Sequence, residues 1–223
     1  MMAITMADKA DDNLNEAFFA QFHSKKTYKK GEIIIPPGNN PNDVFYIKKG
    51  FVALYSTTIN GQQITFNIYK PKTFFPLILA IGDSPNVFYY EAITTVDTLK
   101  APKQKLIEYL KKQPEKLYEL SKRVLIGLDG ISQLMQVLLF EDARSKVATI
   151  FKMLAKRFGE KQKNNIILSI PLTHKQIASL AGLTRETTSL EIKKLENEGF
   201  ISQKKHLFTI NKPDELKKYS SYE

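Results

Sequence analysis

The run from Leu172 to Ile201, LTHKQIASLAGLTRETTSLEIKKLENEGFI, constrains the fold more than any other part of the chain. Thr173 is a hydroxyl N-cap ahead of an amphipathic turn, and Ile177, Leu180 and Ala181 recur at helical spacing. Gly182 follows where the first helix needs a residue that tolerates a left-handed φ. Leu183 is an apolar plug, and Thr184 is a second hydroxyl N-cap. The next helix is expected to turn Thr188, Ile192 and Leu195 inward and Glu191 outward. Two short helices about so tight a turn form a helix–turn–helix, whose second helix presents its first residues, here Arg185 and Glu186, to base edges. Arg pairs with guanine and Glu accepts from cytosine. The plain alternative is a helical hairpin within a core. The agreement of both caps, the turn Gly and the exposed Arg-Glu pair favours the groove-binding reading.

The charge distribution agrees. Of 223 residues with a formal charge of +10, the segment from Asp142 onward holds 16 Lys and Arg against 9 Asp and Glu, and the rest holds 17 against 14. A basic segment beside a near-neutral one fits a polyanion partner. There are no cysteines, which excludes disulfides, thiol nucleophiles and Cys-ligated zinc or iron–sulfur clusters. A cytoplasmic location is the expectation. No apolar run is expected to reach membrane-spanning length, since the longest, Phe74 to Ile81, contains Pro76. The acidic N-terminal segment has no apolar core and is not read as a signal peptide.

Residues 14–24 are expected to form a short amphipathic helix. Turn pairs then punctuate short β-rich runs: Lys30-Gly31, Pro36-Pro37-Gly38, Lys49-Gly50 and Asn60-Gly61, the last a two-residue hairpin signal. The cadence VFYI, FVALYSTT, ITFNIY, FFPLILAIG and VFYYEAITTVDTLKAP predicts a small antiparallel barrel or jelly roll from about Thr27 to Pro102. A short helix follows from Lys103, and Pro114 opens a long one to about Phe140. Along it Leu117, Val124, Ile131 and Leu138 recur every seven residues, with Ser121, Leu128 and Met135 in the other seam position. Such a heptad predicts a two-fold coiled coil. The alternative is a helix buried against its own barrel. Residues 142–158 predict a basic amphipathic helix, then a polar loop GEKQKNN and a strand IILSI. FISQKKHLFTI reads as a hairpin about Gln203-Lys204-Lys205-His206, a wing whose Lys204 and Lys205 suit phosphate contact.

This order of parts resembles the catabolite activator/fumarate–nitrate regulator (CRP/FNR) superfamily of transcription factors, most specifically in LTRETTSLEIKKLENEGFI and more weakly in KKGEIIIPPG, VFYIKKGFVALY and NGQQITF. The resemblance implies an α+β chain with an N-terminal cyclic-nucleotide-binding-like β-roll (jelly roll) over 1–113, a dimerisation helix over 114–140 and a winged helix–turn–helix over 141–223. It implies a homodimer, seamed by Leu117, Val124, Leu128, Ile131, Met135 and Leu138, on an inverted-repeat operator in double-stranded DNA. RNA polymerase is a candidate partner, and no membrane is involved. Carried over, Thr173, His174 and Lys175 start the phosphate-touching helix, Arg185 and Glu186 read bases between Thr184 and Thr187, Ser189 faces the groove, and Lys193 reaches the backbone. The residue after Ser189 is often Arg in the family and is Leu190 here, which can touch a thymine methyl but cannot bond a guanine.

A second departure concerns the ligand. Cyclic-AMP-binding members use a Gly-Glu-Leu segment for the ribose and an Arg-Ser/Thr-Ala segment for the phosphate. The corresponding segments here read Phe75-Pro76-Leu77 and Tyr90-Glu91-Ala92. A carboxylate beside a phosphate is repulsive, so the usual nucleotide mode is not expected. With no cysteines, and with His23, His174 and His206 outside the β-roll, no metal, haem or other cofactor is expected either. Phe74, Phe75, Phe88, Tyr89 and Tyr90 are candidates to line an apolar effector pocket, joined by Ser132 on the long helix, which matches a nucleotide-contacting position in the family. The alternative is that these aromatics fill a β-roll core, leaving a regulator without a ligand.

A competing function is a β-roll module that controls a partner protein. An enzyme is not expected: no nucleophile–base–orienter set and no Gly-rich phosphate loop is present.

Overall fold

A computed structural model of the chain describes residues 16–216 and residue 219. It divides into two compact units, one within residues 4–58 and 65–125, the other within 59–64 and 126–223.

The first unit is a β-roll. One sheet orders β1 (Ser24–Tyr28), β8 (Val96–Pro102), β3 (Asp43–Lys49) and β6 (Phe74–Phe75). The other orders β2 (Ile33–Ile35), β7 (Tyr89–Ala92), β4 (Val52–Thr57) and β5 (Gln63–Tyr69). The run VFYI in β3 is continuously apolar because both its faces are covered. Phe45 and Ile47 join a core with Tyr28, Val52, Leu54, Phe75 and Tyr90. Val44 and Tyr46 join a second core with Phe18, Phe19, Leu99, Leu106 and Leu120. Helix is seen over 16–20 (α1) within the expected 14–24, whose first residues lie outside those described. Its Phe18 stacks on Tyr109 of α3 (Lys103–Lys111), ring centroids 4.4 Å apart.

Three expectations for this unit need correction. Asn60-Gly61 lies in a loop of five residues between β4 and β5, longer than a two-residue hairpin. The run FFPLILAIG divides at Pro76 into β6 and a short helix, α2 (Leu77–Ile81). Periodicity alone does not separate strand from buried helix in so short an apolar run. The third concerns membrane-spanning length. The helix α4 (Pro114–Phe140) is long and apolar enough to cross a bilayer by length and composition, with mean hydropathy 1.4 over its most apolar window.

Two stripes divide α4. Leu120, Gly127, Gly130, Leu134 and Val137 are buried within the chain. Leu117, Val124, Leu128, Ile131 and Met135 are exposed, and Leu138 is half-buried. The two readings of this helix therefore apply to different faces of it. One side packs on its own chain, and the heptad side is open.

In the second unit, α5 (Ala143–Phe158) begins at an Asp142 cap, whose carboxylate accepts from the Ser145 backbone N–H at 2.8 Å. That backbone hydrogen bond holds the Asp142 carboxyl below its ordinary range. Its apolar side, Val147, Ile150, Phe151 and Leu154, is buried as expected. The polar segment expected to be a loop forms a strand instead, β9 (Gly159–Gln162), paired antiparallel with β10 (Asn165–Leu168). Lys161 pairs with Ile166 and Gly159 with Leu168, so backbone pairing sets this edge strand and no apolar alternation announces it. The sheet orders β11 (Ile201–Lys204), β12 (Leu207–Ile210), β10 and β9. A short helix, α8 (Pro213–Leu216), follows.

Candidate nucleic-acid interface

Two short helices carry the interface, α6 (His174–Ala181) and α7 (Arg185–Asn197). Thr173 and Gln176 form a reciprocal capping box at the start of α6, the Gln176 carboxamide oxygen accepting from the Thr173 backbone N–H at 2.9 Å. Thr-x-x-Gln is a sequence signature of this box, so Gln176 was legible in advance. The helix ends at Gly182, whose φ of +62° is left-handed. A Cβ there would meet the Leu138 side chain at 3.3 Å. Leu183 and Thr184 complete the turn, and Thr184 Oγ1 accepts from the Thr187 backbone N–H at 3.2 Å.

Helix α7 is amphipathic about this geometry. Thr188, Glu191, Ile192 and Leu195 are buried. Arg185, Glu186, Leu190 and Lys193 are exposed, and Ser189 is half-buried. Arg185, Ser189 and Lys193 lie four apart and so share one face. Thr184 is exposed and Thr187 half-buried at the same helix end, as are Thr173 and exposed Lys175 at the start of α6. The wing closes on Lys205 and His206, both at positive φ (+50° and +66°), the two-residue turn that joins twisted strands. Gln203 and Lys204, expected in the turn, belong to β11, so the turn starts two residues later than expected. Lys204 and Lys205 are exposed.

Two assignments change. Glu191, expected to face outward, is only 8% exposed. Its Oε1 accepts from Lys194 Nζ at 2.7 Å. Arg144 of α5 bonds Glu198, and that hydrogen bond is the main cause that raises the guanidinium pKa, with Glu191 adding to it. Arg144 also lies over the Tyr219 ring, 4.4 Å from its centroid. Helical periodicity places Glu191 outside; it is buried instead, with one carboxylate oxygen paired to Lys194 three residues on along the same helix. His174 is the second change. Its Nδ1 lies 2.9 Å from Ser189 Oγ and its Nε2 3.2 Å from Gln203 Oε1. Both ring nitrogens are engaged within the chain, so His174 is not the free phosphate contact expected of it. Gln203, which joins β11 to this histidine, was not singled out from sequence.

The candidate effector aromatics divide between the two β-roll cores, Phe75 and Tyr90 with Phe88 packed against them in one, and Phe74 in the other. Phe75 and Tyr90 stack at 5.4 Å inside one β-roll core, with Tyr69 on Phe75 at 5.3 Å. Phe74 packs against the other core. Phe88 is half-buried and meets Phe66 edge-on at 5.2 Å. Ser132 is exposed on α4 and donates to the Leu128 carbonyl oxygen. Burial pushes the Tyr90 phenol far above its ordinary range. Glu91 accepts from the Tyr55 hydroxyl at 2.8 Å, and Tyr55 stacks on Tyr89. Among the described residues no group of three His, Cys, Asp or Glu is placed to hold a metal ion.

Residues 145–219 match the Crp-like helix–turn–helix domain family, and residues 25–113 match the cyclic nucleotide-binding domain family. The chain is 28% identical over 194 residues to a global nitrogen regulator of Nostoc sp., covering 84% of this chain and 85% of that one. It is 24% identical over 194 residues to the fumarate and nitrate reduction regulatory protein of Salmonella typhi, covering 86% and 76%. The chain belongs to the CRP/FNR family of transcription regulators. Its fold is that of a CRP/FNR-family transcriptional regulator from Thermus thermophilus, with TM-score 0.69, 22% identity and coverage of 88% and 97%. This regulator therefore pairs a cyclic-nucleotide-binding-type β-roll with a Crp-like DNA-binding domain, and its relatives regulate transcription and are not enzymes.

Proposed function

We propose that this CRP/FNR regulator binds an inverted-repeat operator as a homodimer paired through α4, with half-sites about one helical turn apart. In this reading Arg185 and Glu186 contact base edges, and Leu190 meets a thymine methyl in place of a guanine. Thr173, Lys175, Lys193, Lys204 and Lys205 hold phosphates on either side. The observation that carries it is the exposed row Arg185, Glu186, Leu190 and Lys193 on a helix whose opposite face is buried, with the wing lysines also exposed. The open heptad face of α4 supports the pairing. Selection of bound sequences from random duplex DNA tests it: a two-fold symmetric motif is expected, and enrichment of no motif would end this reading. Salt dependence separates it from a β-roll module that controls a partner protein. A regulator loses affinity steeply with salt, whereas such a module shows no affinity for bulk duplex to lose.

The β-roll in this reading does not respond to cyclic AMP. Between Phe75 and Ala92 the chain carries no Lys or Arg, and its only charges are Asp83 and Glu91. A cyclic phosphate entering there would leave water without a cation to receive it. The carboxamide of buried Asn86 already donates to the Pro36 and Phe88 carbonyl oxygens. Calorimetry with millimolar cyclic AMP or cyclic GMP is expected to show no saturable heat, and micromolar binding of either would refute this.

A further inference from the structure

His174 is held by three uncharged neighbours. They are the Ser189 hydroxyl from α7, the Gln203 carboxamide from β11, and the Phe208 ring from β12, with ring centroids 6.2 Å apart. The arrangement fixes which atom carries a proton. Gln203 Oε1 can only accept, so Nε2 must donate to it. In the neutral imidazole Nδ1 is then a lone pair, and the Ser189 hydroxyl must donate to it across 2.9 Å. Ser189 has one proton, and the histidine consumes it. What Ser189 presents outward is acceptor only.

We propose that His174 sets the hydrogen-bond polarity of Ser189 and thereby selects the base that Ser189 faces, an inference that rests on α7 being the base-reading helix. With neutral His174, Ser189 accepts, which suits the exocyclic amine of cytosine or adenine in the major groove. When His174 gains a second proton, Nδ1–H donates to Ser189 Oγ. The hydroxyl proton is released to the groove, where guanine N7 and O6 or thymine O4 accept it. No atom needs to move for this exchange beyond a hydroxyl rotation. The second proton is supplied by acidification, since histidine as a residue type is the side chain that gains charge below neutral pH. The ionisable groups on the same elements are Lys175 on α6, Arg185, Glu186, Glu191, Lys193, Lys194 and Glu196 on α7, and Lys204, Lys205 and His206 on the wing, with Arg144, Lys146, Lys152, Lys156 and Arg157 on α5 packed against α6 and α7. In the proposed reading only Arg185 and Glu186 among these reach base edges, and the rest change affinity for all sequences alike. A change of preference at the Ser189 base pair, with the other positions unchanged, therefore isolates the His174–Ser189 pair. The arrangement also explains why His174 is turned inward, since its ring ties α6, the recognition helix and the wing together at one point.

The test uses the full-length protein and its selected operator, with all four base pairs substituted at the position whose preference Ser189→Ala abolishes. Competition binding is read at about pH 8 and about pH 5.5. The ratio of affinities for cytosine or adenine over guanine or thymine is expected to fall by at least about fivefold on acidification, the worth of one hydrogen bond. His174→Gln keeps a donor toward Gln203 but offers nothing to Ser189, and His174→Asn places an uncharged amide against Ser189. Both variants are expected to show one ratio at both pH values, while Ser189→Ala shows no preference at either. An unchanged ratio in the wild type, or a pH-dependent ratio that persists in His174→Gln, overturns the proposal. Should the His174 variants fail to fold by circular dichroism, the wild type and Ser189→Ala still decide it. Absence of any operator preference in the wild type is a different result, which defeats the base-reading assignment and this inference together.

Discussion

The β-roll turns its aromatic side chains inward, whereas the winged helix and the heptad face of α4 keep their reactive groups outward. In the β-roll Phe45, Phe75, Tyr69 and Tyr90 form one continuous stack, with neighbouring centroids 5.3 to 6.2 Å apart. In the DNA-binding unit the buried residues are mostly aliphatic, and Arg185, Lys193, Lys204 and Lys205 stand in solvent. The β-roll keeps its fold by aromatic packing while residues 75–92 carry no Lys or Arg. The other unit sets exposed cations on an ordinary core. Fold and site are separable properties, and the two units are the place to test that here.

If that contrast is right, outward substitutions cost binding and inward ones cost stability. The largest effect is expected from Leu128→Asp with Ile131→Asp, both exposed on α4. Light scattering should show monomers that have lost operator binding while thermal stability is kept, and a variant that stays dimeric would break the pairing assignment. Next comes Phe75→Ala, fully buried, expected to cost about 3–5 kcal/mol of unfolding free energy. Operator sequence preference should be unchanged, and an altered preference would blur the contrast.

A pH titration sharpens the same point. Burial pushes the Tyr28 phenol up to about 12, and Tyr55 and Tyr90 higher still. The folded state then holds protons that the unfolded state releases near pH 10, so stability is complete below about pH 10 and falls as pH rises toward and past 12. Hydrogen exchange should locate that loss in the β-roll, where all three phenols lie; loss in the winged helix first would contradict it. Smaller again, Arg185→Ala should cost roughly 1–3 kcal/mol of binding and relax one base pair. The smallest effect is Lys204→Ala, which should weaken all sequences alike and lower the salt slope by about one. The reverse pattern in these two would exchange their roles.

What the sequence revealed about this molecule follows the range of the interactions involved. Thr173, Gly182 and Thr184 act on neighbours within a few residues, so caps and turn were readable directly. The ends of α4 were also readable, because Pro114 and the heptad mark them locally. Glu191 reads as outward because its pairing with Lys194 three residues on has, in sequence, the look of a solvent-exposed helix pair, and its burial does not show there. His174 was misread because its partners lie 15 and 29 residues away. The β9 edge was missed because backbone pairing, and not side-chain pattern, defines it. The five candidate effector aromatics were chosen as one cluster, yet neighbouring strand positions face opposite cores, which parts Phe74 from Phe75.

The heptad of α4 has a geometric consequence. A straight helix falls about 20° short of two full turns in every seven residues. From Leu117 to Leu138 the apolar line therefore drifts by about 60°, toward the stripe that holds Leu120, Gly127 and Leu134. That drift explains why Leu117, Val124 and Ile131 are open while Leu138 is half-covered by its own chain. In the proposed dimer, two such helices would stay in register only by winding left-handed about one another, and their contact would run out near Met135. Past that point they would have to splay, and the angle of that splay would set how far apart the two copies of α7 are carried.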